Sequence, residues 1–275
     1  MPELPEVETV RRTLNRLIRH KKIVDAEVRL PRIIRRPDDP KLFAALLAGH
    51  TILEMERRGK FLRFLMDGLV LVSHLRMEGR YGLYQQGEPV AAHTHVIFRF
   101  ADGTELRYND VRQFGTMHLF APGEDLASPP LNKLGLEPLS GEFTWSALRR
   151  AIAGRTTKIK PLLLNQEVIA GIGNIYADEA LFRARIHPET SAGSLSAAKL
   201  RRLHEAIVVT LREAVQSGGT SIKSFVNGQG ETGTFQQKLN VYGRKGDPCV
   251  NCGTPVNKIV LGGRGTHFCP RCQRR

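Results

Sequence analysis

A chain of 275 residues allows one or two domains, each large enough for its own core. Its 41% hydrophobic content, with no apolar run long enough to span a bilayer, argues against a membrane protein. Forty-one Lys and Arg against 27 Asp and Glu give a formal charge of +14, a balance that points to a polyanionic partner, nucleic acid first. The acidic opening MPELPE lacks the basic region of a secretory signal, so a cytoplasmic location is expected.

Taken in chain order, Glu6 to Arg19 carries Val7, Val10, Leu14, Leu17 and Ile18 at helical spacing, and Pro5 sits where a first-turn proline is tolerated. A short amphipathic helix is predicted there. From Ile23 to Phe120 the pattern changes to strands: Ala26, Val28 and Leu30 alternate, and Phe61 to Val72 is apolar around Asp67-Gly68. Val96, Phe98 and Phe100 alternate up to Asp102-Gly103, a hairpin signal. Residues 1–120 therefore predict an antiparallel β-sandwich with an N-terminal helix. Residues 121–143, rich in proline and glycine without a sustained period, read as a linker. Residues 144–237 read as a helical domain, in which Leu200, Leu203, Ile207, Leu211 and Ala214 share one face between an N-cap at Ser196 and a stop at Gly218-Gly219. Residues 218–233 predict a mobile surface loop. The class is α+β in two domains, followed by a separate module over residues 238–275.

That last module holds all four cysteines. Cys249, Cys252, Cys269 and Cys272 form C-x2-C-x16-C-x2-C, the spacing of a four-thiolate zinc site. Two disulfides are the alternative, disfavoured in a reducing compartment. A site with four protein ligands is closed, so a single Zn²⁺ there folds the tail and does no chemistry. From Lys238 onward there are eight basic residues against one acid, Asp247, which suits contact with a phosphate backbone. Gly262-Gly263-Arg264-Gly265 predicts a hairpin that brings Arg264 close to that backbone.

Other patterns compete. Gly171-Ile172-Gly173 opens like a dinucleotide fingerprint, but Tyr176 stands where the third glycine belongs. His187-Pro188-Glu189 with Pro248-Cys249-Val250-Asn251-Cys252 matches the pattern of zinc deaminases acting on nucleobases, yet leaves Cys269 and Cys272 unused. A zinc-finger protein that binds DNA without catalysis is a further alternative. His93 and His95 flank Thr94 before a strand without a nearby third ligand, and read as surface or phosphate-contacting histidines.

The terminus offers chemistry of its own. If Met1 is removed, Pro2 becomes a secondary amine, and an amine attacking a sugar C1′ expels the base and leaves a covalent iminium. Glu3 and Glu6 lie beside it at a helix start, where negative charge is favoured, and could supply acid/base function. Simple capping of the helix is the alternative.

With these residues in view, the chain resembles the bacterial formamidopyrimidine-DNA glycosylase family. The likeness runs through PELPEVE at 2–8, RRGKFL at 57–62, SHLRMEGR at 73–80, RQFG at 112–115, GIGNIYADE at 171–179 and the cysteine module. Leu4 favours the purine-directed branch over the endonuclease VIII type, which opens PEGPE. The resemblance implies a bifunctional glycosylase and AP lyase that excises 8-oxoguanine and formamidopyrimidines from double-stranded DNA. It also implies a monomer associated with the bacterial nucleoid. In the C-terminal domain it implies a helix-two-turn-helix motif, here Asn165 to Ile186.

Residue by residue, the resemblance implies Pro2 as nucleophile, Glu3 as proton donor to the sugar, Lys60 in β-elimination and Arg264 in δ-elimination. The flipped base leaves a gap that Met77, Arg112 and Phe114 would fill, a general device for kinking DNA. His74, His93, Arg155, Lys160, Asn174 and Tyr242 would hold phosphates, and the loop from Thr220 to Phe225 would close on the base. One departure stands out: relatives often carry a basic residue where Gln113 stands, which puts one phosphate contact in doubt.

Overall fold

The helix expected after the acidic opening runs over Leu4–Ile18 (α1) in the computed structural model. Its first turn is closed reciprocally, the Glu3 carboxylate accepting the Glu6 N–H and Glu6 Oε2 accepting the Glu3 N–H at 2.9 Å. Val7, Val10, Leu14 and Ile18 form its buried face. The structure describes residues 1–220 and 233–274. The chain divides into a first unit over 1–132, which Gly218–Thr220 and Gly233 join, and a second over 133–217 and 234 onward.

In the first unit the chain continues through β1 (Ile23–Val28), β2 (Ile34–Arg36), α2 (Pro40–Leu47), β3 (Ile52–Arg58), β4 (Phe61–Met66) and β5 (Leu69–His74). It proceeds through β6 (Arg80–Gln85), β7 (Thr94–Phe100), β8 (Thr104–Asn109), β9 (Thr116–Phe120) and a single helical turn, α3 (Glu124–Ala127). Two sheets result, ordered β1-β7-β8-β6 and β2-β9-β5-β4-β3. Rings join their inner faces: Phe64 of the five-stranded sheet meets Tyr81 at 5.5 Å and Phe98 at 6.5 Å, both from the four-stranded one. The expected sandwich is present, with one strand pair of different sense. Strand β2 runs parallel to β9. Because the chain changes sheets between β1 and β2, β2 is no hairpin partner and nothing forces the antiparallel direction.

The second unit holds α4 (Trp145–Ile152), α5 (Ile159–Leu164), α6 (Asn174–Arg183), α7 (Ala197–Gln216) and the hairpin β10 (Asn257–Leu261) and β11 (Arg264–Phe268). Ser196 caps α7, accepting the Lys199 N–H at 3.3 Å, and Leu200, Leu203, Ile207, Leu211 and Ala214 are buried as the period predicted. The unit boundary falls inside the stretch read as a linker, after Asn132, and that stretch carries α3 and a 3-10 turn at Leu131–Lys133. Gly218–Thr220 group with the first unit rather than with the helices they follow. Beyond Thr220, the loop expected to close on a base lies outside the described residues. No helix among the described residues is long and apolar enough to cross a membrane.

Candidate active site and nucleic-acid interface

In the first unit, the reciprocal hydrogen bonds of α1 hold the opening residues in place. Glu3 and Glu6 are only 3% and 2% exposed, and Pro2 is buried beside them. Glu6 is engaged on both oxygens, since Oε2 takes the Glu3 N–H while Oε1 accepts the Thr220 N–H at 2.7 Å and its hydroxyl at 3.2 Å. A carboxylate so occupied is a strut rather than a ready proton carrier.

Lys60 reaches the same place by a different route. Strands β3 and β4 pair in register with Arg58 opposite Phe61, so Gly59 and Lys60 form a two-residue hairpin loop. Arg57 steadies it, donating to the Gly59 carbonyl at 2.8 Å and to Glu8 at 3.2 Å. The α-amino group of Met1 feels this whole assembly. Burial holds it below its ordinary pKa, against the upward pull of Glu3, Glu6 and Glu78 and with the help of Lys60. Lys60 is thus brought from far along the sequence to Pro2 and Glu3, and Glu78, which lies in the SHLRMEGR stretch but was given no role there, joins them.

The first unit also holds residues expected to enter or grip DNA. The Asp110 carboxylate, with no exposed surface, accepts the N–H groups of Arg112 (3.1 Å), Phe114 (2.9 Å) and Gly115 (2.8 Å). It fixes a turn that leaves Arg112 exposed and Phe114 52% exposed, with the Arg112 guanidinium 5.1 Å from the Phe114 ring centre. The Tyr108 hydroxyl donates to the same carboxylate at 3.3 Å. It lies so close to the backbone of two turns that a Cβ at Gly79 would come within 2.3 Å of it, and one at Gly115 within 1.8 Å. Only glycine fits at either position. The turn carrying Met77 and the turn carrying Arg112 and Phe114 are therefore seated on one tyrosine. His93 joins them, its carbonyl accepting the Asp110 N–H at 3.0 Å, while His95, expected at the surface or on a phosphate, is buried and bonds the Asp110 carbonyl through Nε2 at 2.8 Å.

His74 ends β5 opposite Phe61, and their rings meet edge to face at 4.4 Å. Burial first, then Arg76, Lys60 and His118, pushes its pKa down to about 3, so the ring is neutral. Its Nδ1 accepts the Arg76 N–H at 2.8 Å, which leaves the proton on Nε2 as a donor.

In the second unit, two adjacent acids of α6 organise the remaining candidates. Glu179 accepts four hydrogen bonds at 2.9 Å, from the N–H groups of Asn240, Val241 and Tyr242 and from the Asn240 amide, which sets the backbone beneath Tyr242. Asp178 accepts the His267 N–H at 2.8 Å and pairs with Lys160 at 2.7 Å. Lys160, expected at a phosphate, is instead 0% exposed, and its ammonium donates to the Gly265 carbonyl at 2.9 Å and to Thr266 Oγ1 at 2.8 Å. Asn174, on the first turn of α6, donates to the same Gly265 carbonyl at 3.0 Å. Both residues clamp the strand next to Arg264. Arg264 itself is exposed, the first residue after a Gly262-Gly263 turn whose φ angles of +56° and +71° suit a two-glycine hairpin loop. Arg155 is exposed after α4, its Nε donating to the Ala151 carbonyl at 2.9 Å.

The four cysteine sulfurs all lie within 4.8 Å of one another. A zinc tetrahedron with ~2.3 Å bonds has edges of roughly 3.8 Å, so the donor set fits one Zn²⁺. Hydrogen bonds from Thr254 pull the Cys252 thiol down to about 6, whereas burial and the neighbouring cysteines push Cys272 up to about 12. A divalent cation held by the four would draw all of them into the thiolate form. The deaminase pattern has no counterpart here. Every cysteine joins the one cluster, and Glu189 pairs with Lys158 at 2.6 Å.

Comparison with known proteins agrees with this geometry. Residues 1–117 match the formamidopyrimidine-DNA glycosylase N-terminal domain, 134–226 the H2TH domain of that glycosylase, and 246–275 the zinc finger found in FPG and IleRS. The chain is 60% identical over 274 residues to the formamidopyrimidine-DNA glycosylase of Brevibacillus brevis, covering 100% of this chain and 99% of that protein. It is 61% identical to the Halalkalibacterium halodurans protein of the same name, with both covered in full. Among solved structures, Lactococcus lactis Fpg bound to DNA containing N7-benzyl-Fapy-dG is similar with a TM-score of 0.93 at 42% identity, each chain covered in full. The complex of Lactococcus lactis Fpg with abasic-site DNA gives 0.92 at 42% identity, covering 99% of this chain and 100% of that one. The buried N-terminal assembly, the paired turns on Tyr108 and the four-cysteine hairpin are thus features of a chain that belongs to the formamidopyrimidine-DNA glycosylase family.

Proposed function

We propose that this chain is a bifunctional DNA glycosylase and AP lyase that removes oxidised purines from double-stranded DNA. The observation that carries the reading is the convergence of buried Glu3, Glu6 and Lys60 on the α-amino group. Removal of Met1 frees the Pro2 nitrogen, which attacks C1′ of a flipped nucleotide while Glu3 delivers a proton to the sugar ring oxygen. The base departs and an iminium forms between Pro2 and C1′. Loss of a C2′ proton then expels the 3′ phosphate, with Lys60 as the nearby proton-transfer group, and a second elimination expels the 5′ phosphate, the role assigned to Arg264. The attacking amine has to be neutral, because a protonated amine has no lone pair to attack with. Met77, Arg112 and Phe114 fill the vacated stack, while neutral His74, with His93, Arg155, Asn174 and Tyr242, holds phosphates. Lys160 serves by clamping Gly265. Zinc is structural. The protein works as a monomer in the cytoplasm.

Borohydride trapping tests the reading. Incubated with an 8-oxoguanine duplex, the protein is expected to become covalently linked to DNA through residue 2. Glu3→Gln should bind lesion DNA almost as well as the parent but excise at least a hundredfold more slowly, because it keeps shape and loses the proton. A crosslink mapping to Lys60, or full excision by protein retaining Met1, would sink the assignment of Pro2.

A further inference from the structure

Between Arg29 and Arg36 the chain places four arginines on and around the short connection into β2. Two are already neutralised by acids. Arg29 pairs with Glu27 at 2.6 Å, and Arg36 pairs with Glu124 while lying 4.7 Å from the Phe120 ring centre. Arg32 is held differently. It sits in the 3-10 turn Pro31–Ile33, exposed, and its Nη2 donates to the side-chain carbonyl of Gln113. No carboxylate among the described residues pairs with it.

The distinction is electrostatic. A guanidinium oriented by a carboxylate has its charge cancelled locally, whereas one oriented by a neutral amide keeps its full charge and its remaining donors. The tether is also well placed and stiff. Ile33, beside Arg32, is buried, and Ile34 pairs with Met117 at the start of β9, three residues past the Phe114 turn. Gln113 is fixed in the left-handed region at φ +60°, and its own N–H donates to the Asp110 carbonyl at 3.1 Å. Gln113 lies between Arg112 and Phe114, so an uncompensated cation from residue 32 is delivered to the exposed turn expected to enter DNA.

We infer that Arg32 is a DNA phosphate-binding residue and that Gln113 is its positioning residue, so the turn between Arg112 and Phe114 is supplied with a further cation from position 32. This rests on the proposal that the chain binds DNA through the Arg112 turn. A phosphate contact orients without reading sequence, so it contributes equally on damaged and intact duplex.

The test measures affinity of the full-length, zinc-loaded protein for a duplex carrying an uncleavable tetrahydrofuran abasic analogue, as a function of salt. Arg32→Ala is expected to flatten the slope of log affinity against log salt by about 0.9, the loss of one phosphate contact. Gln113→Glu should flatten it at least as much, since a carboxylate there cancels the guanidinium while both side chains remain. The double variant Arg32→Ala/Gln113→Lys should recover the parental slope by moving the cation across the tether. An unchanged slope in Arg32→Ala, with Tm equal to the parent, would overturn the assignment; so would a loss that the double variant does not recover. Failure of the parent itself to bind the duplex would instead overturn the DNA-binding reading.

Discussion

The two units hold their exposed residues by opposite means. In the first, the turns bearing Met77, His93, Arg112 and Phe114 rest on Tyr108 and Asp110, using backbone N–H groups, one buried carboxylate and two glycines. In the second, the hairpin bearing Arg264 is fastened by charge: a zinc site at its base and the buried Lys160–Asp178 pair beneath Gly265. The difference follows from what each element can bury. β10 and β11 form a two-stranded sheet, and an isolated hairpin is marginal without further support. The turns of the first unit emerge from full sheets and inherit their rigidity.

Metal removal breaks the comparison most sharply. Stripping zinc with a strong chelator, or Cys249→Ala, is expected to disorder the hairpin and lower DNA affinity by orders of magnitude. Structural zinc contributes on the order of 10 kcal/mol in small zinc modules, so little of the hairpin should survive its loss. Amide hydrogen exchange should show β10 and β11 losing protection while β4, β5 and β9 keep theirs. Loss of protection in the sandwich as well would mean that the two fastening schemes are not independent.

Asp110→Asn probes the other scheme. Replacing one acceptor oxygen with an NH₂ group sets a donor against backbone N–H groups that have no other partner, an effect of about 1–3 kcal/mol. Zinc content should be unchanged. The turn should lose order, and excision should fall because Arg112 and Phe114 no longer hold their places. An Asp110→Asn protein with parental stability and excision would show that Tyr108 and the glycines suffice.

How much of this could be read from the sequence depended on how far apart the cooperating residues lie. The zinc ligands announced themselves because the cysteines fall in two close pairs at a known spacing. Lys60 entered only through the resemblance, and the Gly59-Lys60 hairpin loop that carries it became clear from the pairing of β3 with β4. Asp110 and Tyr108 were not singled out, since their meaning depends on Gly79, roughly thirty residues away, and on a clash that only coordinates reveal. Asp178 and Glu179 were quoted within a familiar motif, but their partners, Lys160, His267 and residues 240–242, are distant. Lys160 shows the limit most plainly. A lysine beside a helix start reads as a surface cation, and nothing local indicates that Asp178 draws it inside.

A dependence on pH that rests on two buried histidines is also expected in the first unit. His74 has a folded pKa of about 3, set chiefly by burial, and His118 one of about 4 for the same reason. An unfolded histidine titrates near about 6.5, so between that value and the folded pKa the unfolded chain binds more protons than the folded one. Stability is therefore fully present above about pH 6.5 and falls with acidification at about 1.4 kcal/mol per pH unit for each such histidine, levelling off near pH 3 for His74 and near pH 4 for His118. His74→Gln, which keeps a polar side chain without a titrating ring, should reduce that slope, read as amide exchange in β5 and β9 between pH 6.5 and 5. The zinc hairpin also weakens in acid, because protons compete with the metal for thiolates, but that loss should be the same in both proteins. An equal slope in the sandwich of both would mean that His74 accepts a proton without leaving its place against Phe61, and that burial there does not hold the ring neutral.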